Sequence, residues 1–205
     1  MTNVGEERIA KGTEHWTKKG DVNLFLWNKR PEGEPKGTIL FVHGSSMASQ
    51  PTFDLHVEGR PYSSVMDWFA SQGYDTWCVD MEGYGRSDKN RGITSNIADG
   101  ADDLVAATDY IMATAGVEKF LVYGISSGAL RAAAFAERHP ERVEKIALDA
   151  FVWTGEGSPT LEERKKKLDQ FRAMKRRPID RDFVYSIFNR DHPGTAEDNV
   201  IDAFA

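Results

Sequence analysis

Phe120-Leu121-Val122-Tyr123-Gly124-Ile125-Ser126-Ser127-Gly128 is a short apolar run that ends in Gly-x-Ser-x-Gly and passes at once into Ala129-Leu130-Arg131-Ala132-Ala133-Ala134-Phe135. Aliphatic and aromatic residues favour a strand, alanine and leucine favour a helix, and the glycines between them permit a sharp turn. Ser126 stands on that turn. Only small neighbours allow its strained backbone, and its hydroxyl projects above the sheet, where it can attack a carbonyl. Gly-x-Ser-x-Gly alone is cheap in a chain with 18 glycines, so an ordinary glycine-flanked turn fits it as well. The surrounding sequence decides.

Thr38-Ile39-Leu40-Phe41-Val42 is a second such run and stops at His43-Gly44-Ser45-Ser46. Asp75-Thr76-Trp77-Cys78-Val79-Asp80 is a third, followed by the glycine-rich Met81-Glu82-Gly83-Tyr84-Gly85-Arg86-Ser87. Near-continuous apolar runs of this length read as buried parallel strands. The loops at the carboxyl ends of parallel strands converge on one rim, where open α/β folds place their ligands.

His43-Gly44, Asp80-x-x-Gly83-x-Gly85-x-Ser87 and Gly124-x-Ser126-x-Gly128, in this order and spacing, resemble the motif set of the α/β-hydrolase superfamily, of serine esterase or lipase type. Ala132 to Ala136 followed by Glu137-Arg138-His139-Pro140-Glu141-Arg142-Val143 resembles the stretch these proteins carry before their sixth strand. The resemblance covers roughly residues 10 to 153 and fades beyond. It implies an α/β fold: a mostly parallel sheet with helices on both faces, its N-terminal six strands within residues 1–153, and the start of a helical lid over 154–205. It implies Ser126 as nucleophile, with the backbone N–H of Ser127 and of Ser45 as oxyanion donors and Ser46 as an alternative to Ser45. It reads His43 as a brace of the loop and not as the base, and it implies no metal and no organic cofactor.

A serine hydroxyl is a weak nucleophile without a general base, and the base needs an orienting acid. The resemblance puts that acid after a later strand and the histidine after the last one, beyond residue 205. A C-terminal polypeptide completing the fold is therefore expected as a partner, whether the 205 residues are a fragment or one chain of a split enzyme. Within the chain, His15 and His139 lie too far from the elbow on this topology, His56 and His192 sit in segments able to approach, and Asp149 is the only acid near the carboxyl end of the sixth strand. The expected activity is hydrolysis of a small carboxylic ester or related acyl substrate. The alternatives are an acyltransferase or carbon–carbon bond hydrolase on the same scaffold, and a catalytically silent binding module. A serine at the elbow argues against enzymes that use an aspartate there.

Composition agrees with a globular chain able to bury a core: 205 residues, 40% hydrophobic, 28% charged, net charge −6. The acidic balance argues against nucleic acid as a partner. No apolar run is long enough to span a bilayer, and Met1 to Glu7 has neither the basic start nor the apolar stretch of a signal peptide, so a cytoplasmic location without membrane association is expected. The single cysteine, Cys78, falls inside a strand and reads as a small core residue.

Elsewhere, Glu14 to Lys19 and Val22 to Asn28 flank Gly20-Asp21 as a hairpin, Pro61 to Ala70 and Ile97 to Ala115 read as helices, and Lys145 to Trp153 as a sixth strand. In the first helix Val65, Trp68 and Phe69 are expected to face the sheet. In the second, Leu104, Ala107, Tyr110 and Ile111 form a stripe, with Gly116 as C-terminal cap. Lys165-Lys166-Lys167 and Lys175-Arg176-Arg177 read as solvated helix faces, with Leu168, Phe171 and Met174 as the substrate-facing side and Val200, Ile201 and Phe204 in need of cover.

Overall fold

The computed structural model describes residues 10–92, 95–152 and 154–205. A hairpin of β1 (Gly12–Lys19) and β2 (Val22–Lys29) opens the fold, turning through Gly20 at φ 59°. β3 (Thr38–Val42), β4 (Asp75–Val79), β5 (Phe120–Ile125) and β6 (Val143–Asp149) complete one sheet in the order β1-β2-β4-β3-β5-β6. The pairs β1/β2 and β2/β4 are antiparallel, and the rest are parallel. Every residue of β3 and β4 is buried, as expected of strands covered on both faces.

The covering helices are α1 (Ser49–Phe53) and α2 (Val65–Ser71) on one face, and α3 (Ile97–Ala115) and α4 (Ser127–Arg138) on the other. Ile39, Phe41 and Cys78 meet Phe53 and Met66 on the first face. Leu40, Val42, Trp77 and Val79 meet Leu104, Ile111 and Phe135 on the second. Strand residues alternate between the two cores because the side-chain period of a strand is two. α3 follows the expected bounds because its ends are chemically marked. Asn96 and Asp99 form a reciprocal capping box, and Gly116 takes the left-handed conformation at φ 68°.

Two elements differ from expectation. α2 starts at Val65 and not at Pro61, because the Ser64 Oγ caps it by accepting the Asp67 N–H at 3.0 Å. That cap fixes the helix phase so that Met66, Asp67 and Ala70 are buried, whereas Val65 and Trp68 are 40% and 47% exposed. Buried Asp67 and Asp54 each accept from Lys29 Nζ at 2.7 Å, which compensates both carboxylates. β6 runs over Val143–Asp149 and stops where Ala150 adopts φ 48°, so it does not continue to Trp153, which lies outside the described residues.

The 154–205 segment carries α5 (Pro159–Lys165), α6 (Leu168–Met174), α7 (Arg181–Phe188) and α8 (Asp198–Phe204). α8 does not lack cover: Ile201 is fully buried, and Phe204 stacks edge-on against Phe188 with ring centroids 5.4 Å apart. Among the described residues no helix is long and apolar enough to cross a membrane.

Candidate active site

Between β5 and α4, Ser126 adopts φ 57° and ψ −122°, outside the regions open to unstrained L-residues. The glycines around it are required by close backbone approach. A Cβ on Gly128 would stand 2.2 Å from the Val42 carbonyl oxygen, and one on Gly124 would stand 2.6 Å from that of Gly128. A Cβ on Gly44 would lie 3.2 Å from the Ser126 Cβ, so the loop after β3 lies against the elbow. The Ser126 N–H donates to the Asp149 carbonyl at 2.9 Å, tying the elbow to the end of β6.

His43, at the end of β3, is fully buried. Its Nδ1 lies 2.7 Å from the Gly44 carbonyl oxygen, and its Nε2 lies 3.1 Å from the Met81 N–H. A carbonyl accepts and an amide donates, so the proton sits on Nδ1 and the ring is neutral. Burial, reinforced by the Arg131 guanidinium, lowers its pKa to about 4. Arg131 also donates to the His43 carbonyl at 3.2 Å. His43 is thus a brace between the loops after β3 and β4. Because its folded pKa lies below its unfolded value of about 6.5, its contribution to stability is complete above pH 6.5 and is lost as the pH falls through 4. The contribution is on the order of 3 kcal/mol. Comparing urea unfolding of the native chain and of His43→Gln between pH 4 and 7 should show a steeper fall for the native chain; parallel profiles would contradict this.

The motif beginning at Asp80 is a second brace, legible as a pattern but not as a role. Asp80 Oδ1 accepts from the Ser49 N–H and Oγ at 2.8 and 2.6 Å, and Oδ2 accepts from the Arg86 N–H at 2.8 Å. A Cβ on Gly85 would collide with this carboxylate at 2.0 Å. Ser87 Oγ donates to the Asp80 carbonyl at 2.6 Å and accepts from the Phe25 N–H at 2.8 Å.

A cavity of about 630 Å³ opens beside this rim, with Ser45 and Ser46 in its wall. Ser127 is the first residue of α4, whose opening N–H groups have no carbonyl one turn behind them. Ser126 lies against Gly44, next in sequence to the lining residue Ser45, and is not itself in the lining. Phe171 and Met174 of α6 line the cavity, whereas Leu168 does not and is 44% exposed. Lys175, Arg176 and Arg177 are exposed, as expected of a solvated face, but they stand beyond the helix and not on it. α6 ends at Met174, Lys175 takes φ 56°, and all three line the cavity.

Of the four remaining histidines three are engaged elsewhere, and His192, in the turn after α7, contributes its carbonyl, which accepts from the Thr195 hydroxyl at 2.7 Å. His15 Nδ1 lies 3.0 Å from the Tyr110 hydroxyl, His139 Nδ1 lies 3.2 Å from Glu141, and His56 Nε2 lies 3.1 Å from Asp54. Asp54, His56 and Asp67 lie close enough to share an ion, but Lys29 already supplies a cation there. Among the described residues no histidine ring is hydrogen-bonded to Ser126. Asp149 Oδ2 accepts from the Tyr123 hydroxyl at 2.5 Å, and burial together with this bond pushes the Tyr123 pKa up to about 12. Burial pushes the Cys78 thiol up, so Cys78 is a core residue.

The sheet order, the helices on both faces and the strained serine between β5 and α4 define an α/β hydrolase. The chain belongs to the serine aminopeptidase S33 family, whose model matches residues 33–171. It is 33% identical over 130 residues to the 2-hydroxy-6-oxononadienedioate/2-hydroxy-6-oxononatrienedioate hydrolase of Paraburkholderia phymatum, covering 62% of this chain and 40% of that one. It is also 33% identical over 118 residues to an uncharacterized carboxylesterase of Bacillus subtilis, covering 58% and 34%. The chain thus spans well under half of these relatives. A membrane phospholipase A of known structure superposes with a TM-score of 0.65 at 18% identity, over 94% of this chain and 57% of that one, which shows the shared fold.

Proposed function

We propose that this chain carries the nucleophile and oxyanion donors of a serine hydrolase, which forms an acyl-enzyme on Ser126 from a small carboxylic ester or related acyl substrate. The observation that supports it is the backbone of Ser126 at φ 57°, a strain placed where β5 meets α4 and where the loop after β3 touches it. Attack by Ser126 Oγ puts negative charge on the carbonyl oxygen. The N–H groups of Ser127 and Ser45 are the donors for that charge, each worth roughly a hundred- to a thousandfold in rate.

A base and its orienting acid come from a C-terminal polypeptide, since among the described residues no histidine ring is hydrogen-bonded to Ser126. In this reading residues 1–153 form the core and 154–205 a lid whose Phe171 and Met174 face the acyl group. The acidic composition and the buried lone cysteine fit a cytoplasmic enzyme. The relatives include a dienedioate hydrolase, a carboxylesterase and proline iminopeptidases, so hydrolysis is the common ground.

A fluorophosphonate probe applied to the native preparation, with every polypeptide it contains, should leave one adduct that peptide mapping assigns to Ser126. An unlabelled Ser126 in that complete preparation would sink the hydrolase reading in favour of a silent binding module. With an added alcohol, ester product in excess of acid would mark an acyltransferase.

A further inference from the structure

Basic side chains crowd one wall of the cavity in a chain whose net charge is −6. Lys89, Arg91, Lys175, Arg176 and Arg177 all line it, and among the described residues the only acidic side chain in the lining is that of Glu82. Glu82 is already neutralised. Arg91 holds it through both Nε, at 2.5 Å, and Nη2, and Lys19 Nζ lies 3.0 Å from it. Its carboxyl is accordingly held below the usual range, chiefly by Arg91.

The other four cations have neutral partners. Lys89 Nζ donates to the Gly85 carbonyl and, at 3.1 Å, to that of Ser87; Lys175 Nζ donates to the Gly92 carbonyl at 2.8 Å. Arg176 Nη2 donates to the Arg91 carbonyl at 3.2 Å. Arg177 donates to Ser46 Oγ at 2.6 Å and lies over the Phe183 ring at 4.2 Å. Among the described residues none of these four pairs with a carboxylate.

Most cations of the same segment that lie away from the cavity pair with carboxylates, Arg164 and Lys167 excepted among the described residues. Lys165 and Lys166 reach Glu162 and Glu163 at 2.6 and 2.5 Å, Arg181 reaches Asp202 at 2.5 Å, and Arg190 reaches Asp191 at 3.0 Å. With acidic residues in excess over the chain, four cations left without a carboxylate on one wall form a local positive field. A concave, partly apolar wall strengthens such a field at short range.

From this juxtaposition we infer that the substrate carries an anionic group, a carboxylate or phosphate several bonds from the scissile carbonyl, which Lys89, Lys175, Arg176 and Arg177 hold against the wall beside Ser45 and Ser46. The inference rests on the reading of this cavity as the acyl site. Arg177, already bonded to the loop that carries the Ser45 N–H, sets the spacing between the anion and the reacting carbonyl. Its guanidinium fork matches a carboxylate or phosphate edge.

The test compares binding of monomethyl glutarate, the methyl ester of 4-phosphonobutyrate and neutral dimethyl glutarate to the native preparation carrying Ser126→Ala, by calorimetry. The anionic esters should bind roughly ten- to a hundredfold more tightly than the diester at low salt, and whichever anion binds more tightly identifies the group. The preference should fall toward unity at an ionic strength of about 1 M, where the screening length is about 3 Å. Lys175→Ala/Arg177→Ala should abolish it, whereas Lys165→Ala/Lys166→Ala should leave it intact. A preference near unity in the parent, one indifferent to salt, or one that survives Lys175→Ala/Arg177→Ala would each overturn the inference; the first two need no substitution beyond Ser126→Ala. Ser126-dependent hydrolysis of neutral esters can persist when anion preference is lacking, and an unlabelled Ser126 would remove the hydrolase reading whatever the anions do, so the two failures are distinguishable.

Discussion

Replacing Ser126 by alanine is expected to lower turnover of a neutral nitrophenyl ester by the native preparation on the order of 10⁴- to 10⁶-fold, with little change in thermal stability. The size follows from the division of labour in acyl transfer. Without the hydroxyl no acyl-enzyme forms, and only the oxyanion donors and substrate binding remain. The intact fold follows from local structure. The Ser126 side chain makes no capping hydrogen bond to α4, and alanine bears the same strain at φ 57° as serine does. Parallel measurement of kcat/KM and Tm separates the two: equal losses in both would mean that Ser126 is structural.

Gly128→Ala is expected to produce the largest loss of stability, about 3 kcal/mol or more, which for a chain of this size lowers Tm by roughly 6–12 °C. The new Cβ would stand 2.2 Å from the Val42 carbonyl oxygen and 2.5 Å from that of His43. Both are backbone atoms fixed in β3 and at its end, so α4 must move off the sheet and take the elbow with it. Gly33→Ala is the control. Gly33 sits at φ 80° with open space around it, so alanine there incurs only the left-handed strain of roughly 1–2 kcal/mol. Equal melting temperatures for the two variants would contradict the packing argument.

The elements with chemically marked ends were legible in the sequence. Thr38–Val42 and Ile97–Ala115 agree with their expected bounds because a β-branched and aromatic run and a paired Asn96/Asp99 cap with a closing Gly116 leave little choice. α2 was displaced because Pro61 is a plausible helix start, while the cap that wins, Ser64, is decided by burial of Asp67 against Lys29 on a distant strand. The end of β6 depended on a left-handed Ala150, for which alanine gives no signal. At the site, the elbow was readable because steric exclusion dictates its glycines. The roles of Asp80 and Arg131 were not, since bracing is a relation between loops far apart in sequence. Lys175-Arg176-Arg177 looked like any charged helix face. Only the break after Met174 and the cavity beyond it distinguish that cluster from Lys165-Lys166-Lys167.

The central claim is a covalent acyl group on Ser126, and the most direct measurement is rapid acid quenching of the native preparation during turnover of a nitrophenyl ester, followed by intact and peptide mass analysis. A mass increase equal to one acyl group, located on the peptide containing Ser126 and decaying as substrate is exhausted, is the predicted result. Continued hydrolysis with Ser126 unmodified at every quench time would contradict it.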